Sequence, residues 1–195
     1  MKVFPDRLAQ TLTGTLPRVL LVAGPEPLLV EESMDTIRRA ARSSGVPERV
    51  VLDADARFDW SQLTTATETG SLFATQRLVE VNLPTGKPGK EGGAALREWV
   101  GESRDDILVV KCNAWEIASE KSVWFKALDQ VGVFVPCWSV KPHQLPKWIA
   151  ARLSDRGLRI DQTGAQFLAE RLEGNLLAAA QEVERLALLY PQSHA

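Results

Sequence analysis

The sequence predicts an α/β fold: a largely parallel sheet covered by helices on both faces, followed by a small three-helix domain. Three observations carry this. Five short apolar runs alternate with helix-periodic segments, the pattern of strands buried on both faces. The first run closes on Gly24-Pro25 and leads into a helix, the strand–loop–helix context of a phosphate-binding loop. After Pro136 no further strand pattern occurs, and Pro142 and Pro146 mark a boundary. We therefore place one domain at 1–140 and a helical domain at 141–195.

The elements follow in order. Val19-Leu20-Leu21-Val22-Ala23 is a fully buried strand. Pro27 suits a helix first turn, Val30, Met34, Ile37 and Ala41 recur at helical spacing, and Gly45 and Pro47 stop the helix. Val50-Val51-Leu52 is the second strand. Asp59 followed by Gln62 has the form of a capping box, with Trp60 and Leu63 opening the apolar face of the next helix. Arg77 to Val81 is a third strand, and Pro84 to Lys90 a flexible loop. A helix carries Leu96, Trp99 and Val100, and Ile107-Leu108-Val109-Val110 is the fourth strand. Trp115 to Leu128 is mostly helical, with Trp124-Phe125 near its end, and Val133-Phe134-Val135 is the fifth strand. Beyond the boundary, Trp148, Ile149 and Leu153 define one helix ending at Gly157. Asp161 caps a second, with Phe167, Leu168 and Leu172 on its face, and Gly174 ends it. Asn175 caps a third, carrying Leu176, Leu177, Ala180, Val183, Leu186, Ala187 and Tyr190.

Composition narrows the function. With 23 basic and 25 acidic residues the net charge is -2, so the general electrostatic footprint of a nucleic-acid binder is missing. Arg38, Arg39 and Arg42, and Lys87 and Lys90, read as solvated surface. Cys112 and Cys137 end apolar runs and read as buried, reduced thiols of a cytosolic chain. Together with His143 and His194 they make no sensible zinc set, and His143, between two prolines, reads as a linker residue. The N-terminus lacks the apolar run of a signal peptide, and no stretch reaches membrane-spanning length.

The catalytic motifs fail on inspection. Counted from Gly24, the positions that a phosphate loop gives to glycine, lysine and Ser/Thr hold Leu29, Val30 and Glu31, and two aliphatics with an acid cannot cradle a polyphosphate. The fourth strand ends in Lys111-Cys112-Asn113 rather than in an acid that would hold magnesium. Glu31-Glu32 and Asp105-Asp106 read as solvated ends of helices and strands. No Gly-x-Ser-x-Gly elbow occurs. We expect no intrinsic catalysis, no cofactor and no metal; a small P-loop-like nucleotidase and a DNA-binding module are the alternatives.

One stretch does not fit a packing role. Ser71-Leu72-Phe73 sets two large apolar side chains side by side just after Gly70. Neighbours cannot easily both face inward, since strand residues alternate faces and helical partners lie three or four apart. At least one of Leu72 and Phe73 is then an exposed anchor suited to a partner's pocket, or caps the edge of the core.

With Leu20 to Ser33, Ser71 to Arg77, Trp124 to Leu128, Leu145 to Arg152 and Glu173 to Ala178 in this order and spacing, the chain resembles the delta subunits of bacterial DNA polymerase III clamp loaders. The resemblance implies an AAA+-like domain that does not bind ATP, then a lid-like helical domain. It implies a cytoplasmic, non-catalytic component of a nucleotidyltransferase holoenzyme. The implied partners are the beta sliding clamp, the gamma/tau and delta-prime subunits, and primer-template DNA within the assembled loader. Leu72 and Phe73, with Ser71, would enter a hydrophobic pocket of the clamp. Two departures stand: the position that usually carries Gln in clamp-binding peptides holds Thr69, followed by Gly70, and the family's third, collar-forming domain is expected beyond Ala195, so these residues are expected to be a fragment.

Overall fold

The computed structural model describes residues 1–68, 76–172 and 174–190. The chain divides into two compact units, Met1–Trp138 and Ser139–Ala195.

The first unit is built on five parallel strands: β1 (Val19–Ala23), β2 (Glu48–Asp53), β3 (Arg77–Leu83), β4 (Ile107–Cys112) and β5 (Val133–Pro136). Their order in the sheet is β2-β3-β4-β1-β5. Every pair is parallel, with Leu21 beside Val110 and Phe134, and Val79 beside Val50 and Leu108. β1, β4 and β5 are apolar on both faces because helices cover both. Helix α1 (Pro5–Thr11) and helix α2 (Pro27–Ser43) lie on one side. Helices α3 (Ser61–Glu68), α4 (Gly89–Gly101) and α5 (Val123–Val131) lie on the other. On that second side Trp115, Trp124, Phe125 and Phe134 form an aromatic cluster with centroids 5.1–5.9 Å apart. Two of these contacts, Trp115–Trp124 and Phe125–Phe134, are edge-to-face, a geometry that adds to the area buried.

The α/β class and the five strands are as the sequence predicts, and so is the start of α2: Pro27 occupies its first turn and Val30, Met34, Ile37 and Ala41 are buried. Some particulars differ. β2 is an edge strand, so it alternates rather than being buried throughout, and Val51 is 40% exposed. Helix α1 escapes the sequence reading because it is only 7 residues long; Leu8 and Leu12, four apart, fix it to the core. The segment Trp115 to Leu128 is interrupted by a 3-10 turn at Ile117–Lys121 and a restart capped by Ser122. Trp124 and Phe125 thus open α5 rather than close its segment.

The second unit holds α6 (Leu145–Asp155), α7 (Gln162–Leu172) and α8 (Leu176–Leu189). Gly157 and Gly174 stop α6 and α7 at φ values of 74° and 78°, where L side chains are strained. Asp161 accepts from the Gly164 N–H and Asn175 from the Ala178 N–H, as N-caps do. The core differs from expectation. Leu145, Ile149, Leu153, Leu176 and Val183 meet the small residues Ala165, Ala169 and Ala179, while Phe167, Leu177 and Tyr190 are exposed. Small residues let helices approach closely, and the larger neighbours are displaced outward.

Candidate functional site

Ser71, Leu72 and Phe73 lie outside the described residues; the framework on either side of them is described. On the N-terminal side, the Asp59 carboxylate accepts from the Ser61 N–H at 3.0 Å and holds the start of α3. Hydrogen bonding from the Ser61 side chain and backbone keeps its carboxyl below the usual carboxylate range. Trp60 packs edge-on to Phe58 and lies so close to α4 that a Cβ on Gly92 would fall 2.2 Å from its indole. Leu63, on the inner face of α3, is buried.

On the C-terminal side, β3 begins at Arg77, whose charge is buried. Its backbone N–H donates to Asp106 Oδ1 at 2.8 Å, and its Nη2 donates to Asp106 Oδ2 at 2.9 Å. Gln76 Nε2 donates to the Asp105 carbonyl. The expectation that Asp105-Asp106 is a solvated terminus is therefore corrected for Asp106, which is 7% exposed. A buried carboxylate needs a cation and donors, and Arg77 supplies both.

The degenerate phosphate loop lies at the opposite, C-terminal edge of the sheet. In an open α/β sheet ligands bind there, beside the strand where the order reverses, which is β1. Here that crevice is closed by the chain itself. The Gly24 N–H donates to the Cys112 carbonyl at 3.1 Å and the Glu26 N–H to the Cys137 carbonyl at 3.2 Å, so neither points at a ligand. A Cβ at Gly24 would sit 1.9 Å from the Cys137 carbonyl oxygen, so the glycine serves close packing of two backbones. Leu29 and Val30 are buried. Glu31, at the Ser/Thr position of a phosphate loop, pairs with Lys111 at the end of β4. Burial pushes the Cys112 thiol well up and the Cys137 thiol up to about 12, so neither is a nucleophile at neutral pH.

A second polar cluster crosses the α2 face of the sheet. Glu80, inside β3, is fully buried. Its carboxylate accepts from Arg38 at 2.9 and 2.7 Å and from Arg49 at 2.6 and 3.0 Å. Burial pushes this carboxyl up, but the bonds from the two guanidiniums outweigh it and hold it below the usual range. Arg38 is thus a partner of a buried acid, not the solvated residue expected. The clue in the sequence is Glu80 itself, a lone charge within an apolar run.

Taken together, the fold and the packing of the loop after β1 define a class: an AAA+-like α/β module whose loop after β1 is bonded to the chain's own backbone and lacks phosphate-loop side chains, followed by a helical unit. Comparison with known proteins agrees at the level of fold. The Bacillus subtilis DNA clamp loader delta protein superposes with a TM-score of 0.75 at 19% identity, over 96% of this chain and 58% of that one. The Thermotoga maritima RuvB Holliday junction branch migration motor superposes with a TM-score of 0.55 at 13% identity, over 95% of this chain and 62% of that one. The family profile described as DNA polymerase III, delta subunit, matches residues 20–138. The chain belongs to the DNA polymerase III delta subunit family. The DNA polymerase III subunit delta of Escherichia coli is 35% identical over 192 residues, and that of Haemophilus influenzae 31% over 198. The match covers 98% and 97% of this chain and 56% of each relative, so the chain spans about half the length of these relatives.

Proposed function

We propose that this chain is the clamp-binding part of a clamp-loader delta subunit, which holds the beta sliding clamp and helps open it for loading onto primed DNA. Leu72 and Phe73, flanked by Ser71, are the anchors. Each contributes roughly 1.5–3 kcal/mol when fully buried. The α/β unit behind them acts as a rigid lever and performs no chemistry. ATP acts on partner subunits, gamma/tau, with delta-prime and primer-template DNA completing the assembly in the cytoplasm. The units 1–140 and 141–195 serve as a clamp-facing domain and a lid-like domain.

The observation that carries this reading is the family match over residues 20–138, which spans the Ser71-Leu72-Phe73 element. The packing beside Gly24 supports the division of labour, because the Gly24 and Glu26 N–H groups are bonded to backbone carbonyls of this chain. It also disfavours the alternative of a small nucleotidase. The test is surface plasmon resonance of the chain over immobilised beta clamp. Saturable one-to-one binding is expected; no binding at tens of micromolar would remove the proposal.

A further inference from the structure

We propose that the outer edge of β2 is a docking surface for a second copy of this chain, the two β2 strands pairing antiparallel about Val51. Along β5, at the other end of the sheet, the chain covers its own edge. The Val3 N–H donates to the Phe134 carbonyl at 2.9 Å, and the Phe134 N–H to the Met1 carbonyl at 2.8 Å. β2 closes the opposite end of the order β2-β3-β4-β1-β5. One bond fixes the direction of its backbone groups: the Ala54 N–H donates to the Asn82 carbonyl of β3. Backbone groups alternate sides along a strand, so Val50 and Leu52 also face β3, while Arg49, Val51 and Asp53 present their N–H and C=O groups outward. Apart from a turn bond that the Asp53 carbonyl accepts from the Asp55 N–H, no backbone bond among the described residues engages these groups. A bare edge of this kind is a template for another strand.

The side chains select the occupant. Arg49, Val51 and Asp53 share one face of β2 and are exposed, whereas Val50 and Leu52 share the other and pack on the core. Outward-facing residues must meet outward-facing residues, so an antiparallel copy is centred on one of the positions from Arg49 to Asp53. Centring on Arg49 or on Asp53 sets like charges directly opposite, which destabilises a strand pair. Centring on Val50 or Leu52 sets Arg49 or Asp53 against Val51. Centring on Val51 sets Arg49 of each copy against Asp53 of the other, Val51 against Val51, and Val50 against Leu52. Every pair is then matched in charge or in apolarity. Arg49 binds Glu80 through Nε and Nη2, which leaves Nη1 for the facing carboxylate. The two-fold axis through Val51 closes the assembly at two copies, whose five-stranded sheets join into one.

The experiment is sedimentation velocity of the 195-residue chain at rising concentration, with thermal melts alongside. β2 is only 6 residues long, so the dimer is a weak one, with a Kd on the order of 100 μM. Asp53→Arg sets arginines opposite each other, and Val51→Lys sets two ammonium groups on the axis. Each is expected to weaken the dimer about tenfold or more, while Val123→Lys, on the exposed face of α5, leaves it unchanged. Val51→Cys puts two thiols on the axis with Cα atoms about 5.5 Å apart, within reach of a disulfide. Mild oxidation should link that variant into covalent dimers and leave Val123→Cys monomeric, because Cys112 and Cys137 are buried. A wild-type chain that stays monomeric at about 500 μM overturns the inference and leaves the edge to a strand of a different protein. A dimer that resists either β2 substitution also overturns it, as does a failure of Val51→Cys to cross-link. If Asp53→Arg fails to fold, Val51→Lys decides, since its side chain starts from an exposed position.

Discussion

Replacing Glu80 with glutamine should destabilise the α/β unit by about 3 kcal/mol. Four short bonds converge on its two oxygens, from Arg38 and Arg49. Glutamine turns one acceptor into a donor facing guanidinium N–H groups and leaves both cations without a counter-charge. Breaking a buried pair from one side costs about 3–5 kcal/mol. The lower end applies because Arg49 is 44% exposed and can turn to water, and Arg38 retains Asp35. With a urea slope of about 2 kcal/mol per molar, the midpoint should fall by about 1.5 M. Tryptophan fluorescence is a suitable probe, since Trp60, Trp99, Trp115, Trp124 and Trp138 all lie in the first unit. The effect should depend on pH with a definite sign. Glu80 in the folded protein has a lowered pKa, so its stabilisation is fully present above the unfolded value of about 4.3 and is lost as pH falls through the folded value. The gap between wild type and E80Q should therefore be constant from neutrality to about pH 5 and narrow below about pH 4.3. A loss under about 1 kcal/mol, or a gap that persists in acid, would refute the reasoning, because the cost of a broken buried pair would then be absent.

Gly24→Ala should cost roughly 3 kcal/mol by driving apart the Gly24 and Cys137 backbones, whereas Gly101→Ala, with nothing within 4 Å, should be close to neutral in the same urea melt. Calorimetry with magnesium-ATP should give no stoichiometric heat, since Leu29, Val30 and the paired Glu31 replace the phosphate-loop groups; a micromolar signal would contradict this. Limited proteolysis should cut between 138 and 146 and leave a folded α/β piece, and uniform resistance there would count against separately folding units.

The sheet was legible because its strands are runs of Val, Ile and Leu, and burial on two faces leaves no other home for such runs. Helix α2 was legible for its length and its Pro27 and Gly45 punctuation. What sequence reasoning missed were pairings across the fold. Asp106 looks like a polar strand end until Arg77, 29 positions earlier, is brought beside it. Arg38, on α2, looks solvated until Glu80 of β3 is brought beneath it. In the helical unit, Phe167 and Leu177 were assigned inward because large apolar residues usually are, yet alanines took the close-packed positions. For the site, the missing phosphate-binding side chains were readable residue by residue, while the packing of the Cys137 backbone against Gly24 joins positions far apart in the sequence. The Leu72-Phe73 pair stood out because adjacency defeats both helical and strand packing.

The most direct test of the account is the affinity of Leu72→Ala/Phe73→Ala for purified beta clamp, measured beside its thermal melt. The account predicts a loss of several kcal/mol of binding, at roughly 2 kcal/mol or more per anchor, with the melting temperature nearly unchanged. Binding at the wild-type level would contradict the proposed function at its centre, and a collapse of binding and melting together would make the pair core rather than anchor.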